Sequence, residues 1–130
     1  MTFDAIGISG TGLTLHRKWL DAISDNLANA NTATSTDGAA FQARYVLAQA
    51  GDGTSGVYVA GGAYGDAEGR IVYEPEHPLA DEEGYVRYPD IDLSSQMSSL
   101  IMAQRGYQAN AAVVDRARET YLAALQIGRS

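Results

Sequence analysis

The sequence predicts an α+β fold in which long helices at the N- and C-terminal ends pair as a coiled-coil-like rod. A small antiparallel β-rich domain is predicted for the middle of the chain. Apolar residues repeat every seven positions in both terminal segments, which is typical of a coiled-coil seam. Between them, short stretches rich in Val, Ile and Tyr alternate with glycine-rich ones, as in strands joined by hairpins.

The first segment is predicted to be a helix from about residue 2 to residue 30. Its seven-residue repeat is formed by Ile6, Leu13, Leu20 and Leu27. Ile23 and Ala30 lie three positions after two of these residues, on the same side of a helix. Gly7, Gly10 and Gly12 each cost about 1 kcal/mol relative to alanine in a helix. We therefore expect the first dozen residues to be frayed when no partner covers them.

The last segment is predicted to be a helix from about residue 92 to residue 127. Its repeat is formed by Leu93, Leu100, Tyr107, Val114 and Tyr121, with Met97, Ala111 and Leu125 in the intervening position. Asp90 or Asp92 is a candidate N-cap, because a carboxylate accepts hydrogen bonds from free N–H groups. A helix of this length spans roughly 50 Å. It either breaks, with Gly106 as the weak point, or the molecule is elongated.

The middle of the chain is predicted to be a separate, β-rich outer domain of residues 36–91. Four stretches are candidate strands: "FQARYVLA", "GVYVA", "GRIVYE" and "GYVRYP". Residues 1–35 and 92–130 are predicted to form the helical inner domain. Residues 37–92 hold eleven acids and three arginines, giving −8, whereas the two ends hold five acids and six bases, giving +1. This balance argues against nucleic-acid binding, which needs a basic face.

Amide side chains interrupt both helical patterns. The stretch "NLANANT" places Asn26, Asn29 and Asn31 at the end of the first helix, and "RGYQAN" places Gln108 and Asn110 in the second. Amides compete with the backbone for hydrogen bonds and are poor helix formers. We interpret them as residues that fix register and partner at a helix seam, as a buried asparagine does in coiled coils.

Two geometric expectations follow from this interpretation. If the helices run antiparallel with matched ends, Asn26 and Asn29 should lie near Gln104 and Tyr107. Asn29 could also close the first helix in a left-handed conformation. The full set of residues predicted to form an assembly interface is Ile6, Leu13, Leu20, Ile23, Asn26, Leu27, Asn29, Asn31, Leu100, Tyr107, Gln108, Asn110, Val114, Tyr121 and Leu125.

The sequence patterns that suggest enzyme or metal chemistry are weak. "GISGTG" at residues 7–12 lacks the lysine of a phosphate loop, and around Ser9 it lacks a glycine of a nucleophile elbow. His77 is surrounded by five acids, but their spacing is not that of a calcium loop. His16 is interpreted as a packing or interface residue. The chain has no cysteine, so it has no thiolate metal site. Because these motifs are incomplete, we predict no catalytic residue, no metal site and no cofactor.

The N-terminus lacks the basic and apolar regions of a secretory signal peptide. No apolar run is long enough to predict a transmembrane helix.

Several of these motifs resemble those of the axial proteins of the bacterial flagellum, the rod and hook family. "SDNLANANT" at residues 24–32 matches the family's N-terminal motif, an Asn-Leu-Ala-Asn core followed by threonine. "EHPLADEEGYVRYPDIDLSSQM" at 76–97 resembles a stretch that distinguishes one type of rod protein from its paralogues. "QRGYQANAAVVDRA" and the ending "ALQIGRS" are similar to the C-terminal helix of that type.

The resemblance implies a structural subunit of the proximal rod, the shaft that carries torque from motor to hook. It implies terminal helices in an inner layer around the export channel and a β-rich domain outside. Its implied partners are copies of itself, the rod proteins FlgB, FlgF and FlgG, the rod adaptor FliE and the flagellar type III export apparatus. Its implied location is the basal body in the cell envelope, after export across the inner membrane without a cleaved signal.

Two other functions stay open on the sequence alone. Five tyrosines on the predicted strands could form an adhesive or ligand-binding face: Tyr58, Tyr64, Tyr73, Tyr85 and Tyr88. A small hydrolase built around Ser9 or His77 is the third alternative.

Overall fold

The computed structural model describes residues 2–129, and side chains from residue 4 onward. The elements in chain order are α1 (Thr2–Asn29), β1 (Arg44–Ala50), β2 (Val57–Tyr64), β3 (Arg70–Tyr73), β4 (Tyr85–Tyr88) and α2 (Leu93–Ile127). The α+β class is thereby confirmed, with a long helix at each end of the chain and four short strands between them. No described helix is both long enough and apolar enough to cross a membrane.

Both helices are continuous at their glycines, where the sequence predicted fraying of α1 and a possible break in α2. α1 runs from Thr2 through all three of its glycines, and α2 passes Gly106 without a break over 35 residues. At α2, the Asp92 carboxylate accepts hydrogen bonds from the backbone N–H groups of Ser94 and Ser95 at 2.9 and 3.3 Å. Asp92 is therefore the N-cap, as predicted.

The strands form two separate two-stranded sheets, β1 with β2 and β3 with β4. β3 and β4 are antiparallel, with Val72 opposite Val86. Gly69 and Gly84 precede these two strands with φ of 60° and 87°. Only glycine adopts such angles readily, and these residues start each strand after a tight turn.

The chain forms two compact units, and each unit draws on both helices. The first comprises Met1–Leu20, Val46–Gly61 and Ile101–Ser130, and the second comprises Asp21–Tyr45 and Gly62–Leu100. Buried residues of the first unit are small, with Ser9 and Ala103 almost fully covered. The sequence predicted a different division, with residues 1–35 and 92–130 as a helical inner domain and residues 36–91 as an outer domain. This division concerns layers of an assembly, and it stays a prediction. Its end residues Met1 and Ser130 lie outside the described part.

The second unit has a small core of aliphatic and alanine side chains. Ile23 of α1 and Val86 of β4 are among its largest buried side chains, and Ala40 and Ala43 are buried as well. The guanidinium of Arg87 donates to the carbonyls of Glu68 and Thr36 and so ties two loops to β4.

Candidate assembly interface

In the first unit, α1 and α2 contact each other at two glycines, one on each helix. A polar side chain of the opposite helix packs against each glycine. A Cβ added to Gly12 of α1 would lie 2.6 Å from the Asn110 side-chain oxygen of α2. A Cβ added to Gly106 of α2 would overlap the His16 ring of α1. His16 lies four residues after Gly12 on α1, whereas its partner Gly106 lies four residues before Asn110 on α2. The two helices therefore run antiparallel. Because no Cβ separates the backbones at these points, the helices approach closely.

Both polar side chains at this contact use their hydrogen bonds within their own helix. Asn110 Nδ2 donates to the Gly106 carbonyl at 2.8 Å, and His16 Nδ1 lies 2.7 Å from the Gly12 carbonyl. Each bond spans four residues back along its helix. The Asn110 amide and the His16 ring therefore each pack against the opposite glycine with one nitrogen already hydrogen-bonded. This hydrogen bond lowers the free-energy cost of burying that nitrogen.

In the second unit, Asn26 joins α1 to β1 and α2. Its side chain is 1% exposed. Its Oδ1 accepts from the Arg44 N–H at 2.7 Å, and its Nδ2 donates to the Arg44 carbonyl at 2.9 Å. Nδ2 also donates to Gln96 Oε1 of α2 at 3.1 Å. An amide with both donors and its acceptor satisfied is stable when buried. Asn26 thus fixes where β1 starts relative to both helices.

The predicted register of Asn26 is wrong. Its partner on α2 is Gln96, about two helical turns before the expected Gln104. Asn26 lies three residues before the end of α1, and Gln96 lies three residues after the start of α2. These two helix ends therefore lie together in the second unit.

The predicted left-handed closure at Asn29 is also wrong. No non-glycine residue in the described range has a positive φ. Asn29 Nδ2 donates to the Asp25 carbonyl at 2.9 Å, and its Oδ1 accepts from the Thr32 hydroxyl at 3.3 Å. The amide bonds back into the last turn and forward to Thr32, and the helix ends here without a left-handed residue.

The structure leaves most of the predicted interface residues partly uncovered. Ile23 and Asn26 are buried; Ile6, Leu13, Leu20, Leu27, Asn29, Leu100, Asn110, Val114 and Tyr121 are half-buried; Asn31, Tyr107, Gln108 and Leu125 are exposed. The apolar repeat along α1 therefore keeps accessible surface. A partner could still cover this surface, and its use in assembly stays a prediction.

The buried seam uses small and amide residues that a search for apolar repeats misses. On α1 they are the buried Ser9, Gly12, Asn26 and Ala30 and the half-buried His16, beside the buried Ile23, and on α2 they are the buried Gln96 and Ala103 and the half-buried Gly106 and Asn110. Gln96, Ala103 and Asn110 are spaced by seven, and the α1 set, Ile23 included, follows steps of three, four and seven. The signal was present in the sequence as a repeat of small and amide residues.

The other candidate sites have structural explanations. Ser9 is 6% exposed and lies within α1, rather than on a turn between a strand and a helix. His77 Nδ1 accepts from the Leu79 N–H at 3.1 Å. The described residues contain no group of three or more His, Cys, Asp or Glu side chains placed to hold a metal ion.

Asp81 organises the acidic turn before β4. Its carboxylate accepts from the N–H groups of Tyr85 and Glu83 at 2.9 and 3.0 Å and from the Thr36 hydroxyl at 2.9 Å. These hydrogen bonds, chiefly the one from Tyr85, lower the pKa of Asp81 below its ordinary value.

The tyrosines of the strands are exposed to different degrees. Tyr64 and Tyr73 are 70% and 62% exposed. Tyr73 and Tyr85 face each other across β3 and β4 with ring centroids 5.3 Å apart. Tyr88 donates to the Glu74 carboxylate at 2.9 Å. Tyr73 and Tyr85 thus form a cross-strand aromatic pair.

Two family models match the two ends of the chain, and individual proteins are similar to it over nearly its whole length. Residues 6–33 match the family described as "Flagella basal body rod protein", and residues 82–127 match "Flagellar basal body rod FlgEFG protein C-terminal". Proteins named "Flagellar basal-body rod protein FlgC" from Escherichia coli O157:H7 and Salmonella typhimurium are 37% identical over 94% of each chain. One of the same name from Bacillus subtilis is 28% identical over 98% of each chain.

Proposed function

This chain belongs to the FlgC family of flagellar basal-body rod proteins, and from this premise we propose that it is a subunit of the proximal rod that carries torque from motor to hook and lines the export channel. As a family member it has a structural role in the basal-body rod. We propose assembly with copies of itself, with FlgB, FlgF and FlgG type rod proteins and with the adaptor FliE, after passage through the type III export apparatus.

One observation carries the proposal: residues 101–114 of α2 expose apolar side chains and are nearly uncharged. Between Ile101 and Val114 the only charged residue is Arg105. In the same stretch Ile101, Met102 and Val113 are 47%, 61% and 45% exposed. A helix that is apolar or uncharged all round is normally covered by other protein. Burial of this surface between subunits supplies about 25 cal/mol per Å² of apolar area.

The contacts between the helices suit a part that transmits torque. Asn26 and Gln96 in one unit, and Gly12 and Asn110 in the other, define single positions along α1 and α2. A seam of leucines alone would allow neighbouring registers of similar energy, whereas a buried amide with one partner selects one register. We propose that this fixed register makes each subunit stiff along its helices.

The charge distribution supports a layered arrangement in the assembled rod. We propose that residues 1–35 and 92–130 form the inner layer and residues 36–91 the outer one. The −8 charge of residues 37–92 favours contact with water, and the terminal segments carry the uncharged surfaces. The half-buried stripe of Ile6, Leu13, Leu20 and Leu27 then faces neighbouring subunits. We propose no enzymatic activity and no cofactor.

The test is the location of the chain in the cell. A strain lacking the gene, complemented with an epitope-labelled copy, should swim, and purified basal bodies should carry the label in the rod. The uncomplemented strain should be non-motile and should lack complete rods. Complete rods in the uncomplemented strain, or label confined to other fractions, would exclude a rod subunit.

A further inference from the structure

In the first unit, one exposed face of α2 combines apolar and basic side chains. Its members follow one another in steps of three and four residues, so they lie on one side of the helix. We call this set the α2 stripe: Met102, Arg105, Ala109, Val113 and Arg116. All five residues are exposed. The stripe contains no acid.

The two arginines of the α2 stripe are not neutralised within their own chain. Among the residues that the structure describes, neither guanidinium forms an ion pair or a hydrogen bond, whereas Arg44 pairs with Asp25. Arg105 and Arg116 are about 16 Å apart along the helix, with apolar members of the stripe between them. The stripe therefore fits a surface that is apolar at its centre and acidic at both ends.

In the second unit, the sheet of β3 and β4 has an exposed aromatic face. The rings of Tyr73 and Tyr85 pair across the strands with centroids 5.3 Å apart, and Ile71 lies on the same face. We call these three side chains the tyrosine patch; Ile71, Tyr73 and Tyr85 are 49%, 62% and 38% exposed. Arg87, opposite Ile71, donates its guanidinium to two backbone carbonyls of its own unit.

Exposed glutamates lie at the two ends of this sheet. Glu68 comes two residues before β3 and Glu83 two residues before β4, so in an antiparallel pair they lie at opposite ends. Both are exposed. Strands of this length, with the turns beyond them, separate the two ends by roughly 15–20 Å. This separation matches that of the two arginines in the α2 stripe.

The charges of the two units favour a contact between unlike units of two copies. The first unit holds four acids and six bases, giving +2, and the second holds twelve acids and three bases, giving −9. Two second units would repel each other, whereas a first unit and a second unit attract. Because both complementary surfaces are present on this chain, a second copy of it is the partner that they fit.

We propose that the α2 stripe of one copy of this chain docks on the tyrosine patch of a second copy, with its two arginines beside Glu68 and Glu83. The apolar members of the stripe then cover the exposed aromatic rings, and a guanidinium over a tyrosine adds a cation–π contact. The contact joins two different surfaces, so it is heterologous and repeats from copy to copy. The inference rests on the proposed role as a rod subunit and adds the surfaces through which copies meet.

Charge reversal on each surface tests the contact. One full-length variant carries Arg105→Glu with Arg116→Glu, and the other carries Glu68→Arg with Glu83→Arg. Sedimentation at low salt should show self-association of the original chain, weakened about tenfold or more in each variant alone, because like charges then face each other. An equimolar mixture of the two variants should regain the association, since every contact between unlike copies again joins opposite charges.

The matched control compares Arg116→Glu alone with Arg118→Glu alone. Both substitutions reverse the charge of an exposed arginine on α2, but only Arg116 belongs to the stripe. Arg116→Glu should weaken self-association about threefold, as expected for one exposed ion pair. Arg118→Glu should leave it unchanged.

Three results would overturn the proposal: no restored association in the mixture, equal weakening by the two single variants, or no self-association of the original chain up to about 1 mM. Rods that contain the chain, together with any of these results, would remove this inference alone. Absence of the chain from rods would remove the proposed function.

Discussion

The Asn26 side chain forms with the Arg44 backbone the two hydrogen bonds that a neighbouring strand would form, accepting from its N–H at 2.7 Å and donating to its carbonyl at 2.9 Å. An amide side chain has the same donor and acceptor as a peptide group, so it can pair with a strand from a helix. The asparagine of the "NLANANT" motif therefore builds the subunit itself, in addition to any role between subunits.

Replacement of Asn26 tests this relationship. Asn26→Leu removes all three hydrogen bonds and leaves the Arg44 peptide groups and the Gln96 amide without their partner. We expect a loss of about 1–3 kcal/mol in the free energy of unfolding, measured by urea denaturation of the purified chain. The control Asn31→Leu changes an exposed amide of the same motif and should alter stability by less than about 0.5 kcal/mol. Equal stabilities would contradict the structural role of Asn26.

The glycines of α1 offer a matched pair of substitutions. A Cβ at Gly10 has no neighbour within 4 Å, whereas a Cβ at Gly12 would collide with the Asn110 side chain. Gly10→Ala should therefore stabilise the chain by up to about 1 kcal/mol through helix propensity. Gly12→Ala should lose that gain and destabilise the chain, since the two helices must move apart. Thermal unfolding followed by circular dichroism distinguishes them, and a stabilising Gly12→Ala would show that the helices do not meet there.

The sequence pattern predicted the elements well because hydrophobic periodicity and glycine-rich turns act locally. Both helices, the Asp92 cap and all four strands lie where the pattern indicated. It did not single out Gly12 and Gly106, because the heptad pattern is a pattern of apolar side chains, whereas these close helix contacts are made where a Cβ is missing. It failed on the partner of Asn26, because register between distant segments depends on tertiary contacts that no local pattern contains.

Stability of the second unit should depend on pH through Asp81. Hydrogen bonds from Tyr85, Thr36 and Glu83 hold the pKa of Asp81 below its ordinary value of 3.8. The folded state therefore binds this proton less readily than the unfolded state. The contribution is present above pH 3.8 and is lost as the pH falls through the lower, folded-state pKa. Asp81→Asn should flatten the acid limb of the stability curve measured between pH 5 and 2.

The matched control for this titration is Glu82→Gln in the same turn. It changes the net charge equally but leaves the hydrogen bonds of Asp81 in place. If both variants shift the acid limb to the same extent, net charge rather than the Asp81 hydrogen bonds determines the acid sensitivity.

The leucine stripe on α1 predicts a substitution that affects assembly more than folding. Leu20 is half-buried in the isolated chain, so an aspartate there keeps part of its hydration while the subunit is alone. Between subunits the charge would be desolvated without a partner, at a cost that recurs in every copy. Leu20→Asp should abolish swimming and rod completion while most of the purified chain stays folded. Lys18→Asp, on an exposed position two residues away, should preserve motility. Normal swimming with Leu20→Asp would place the stripe in solvent.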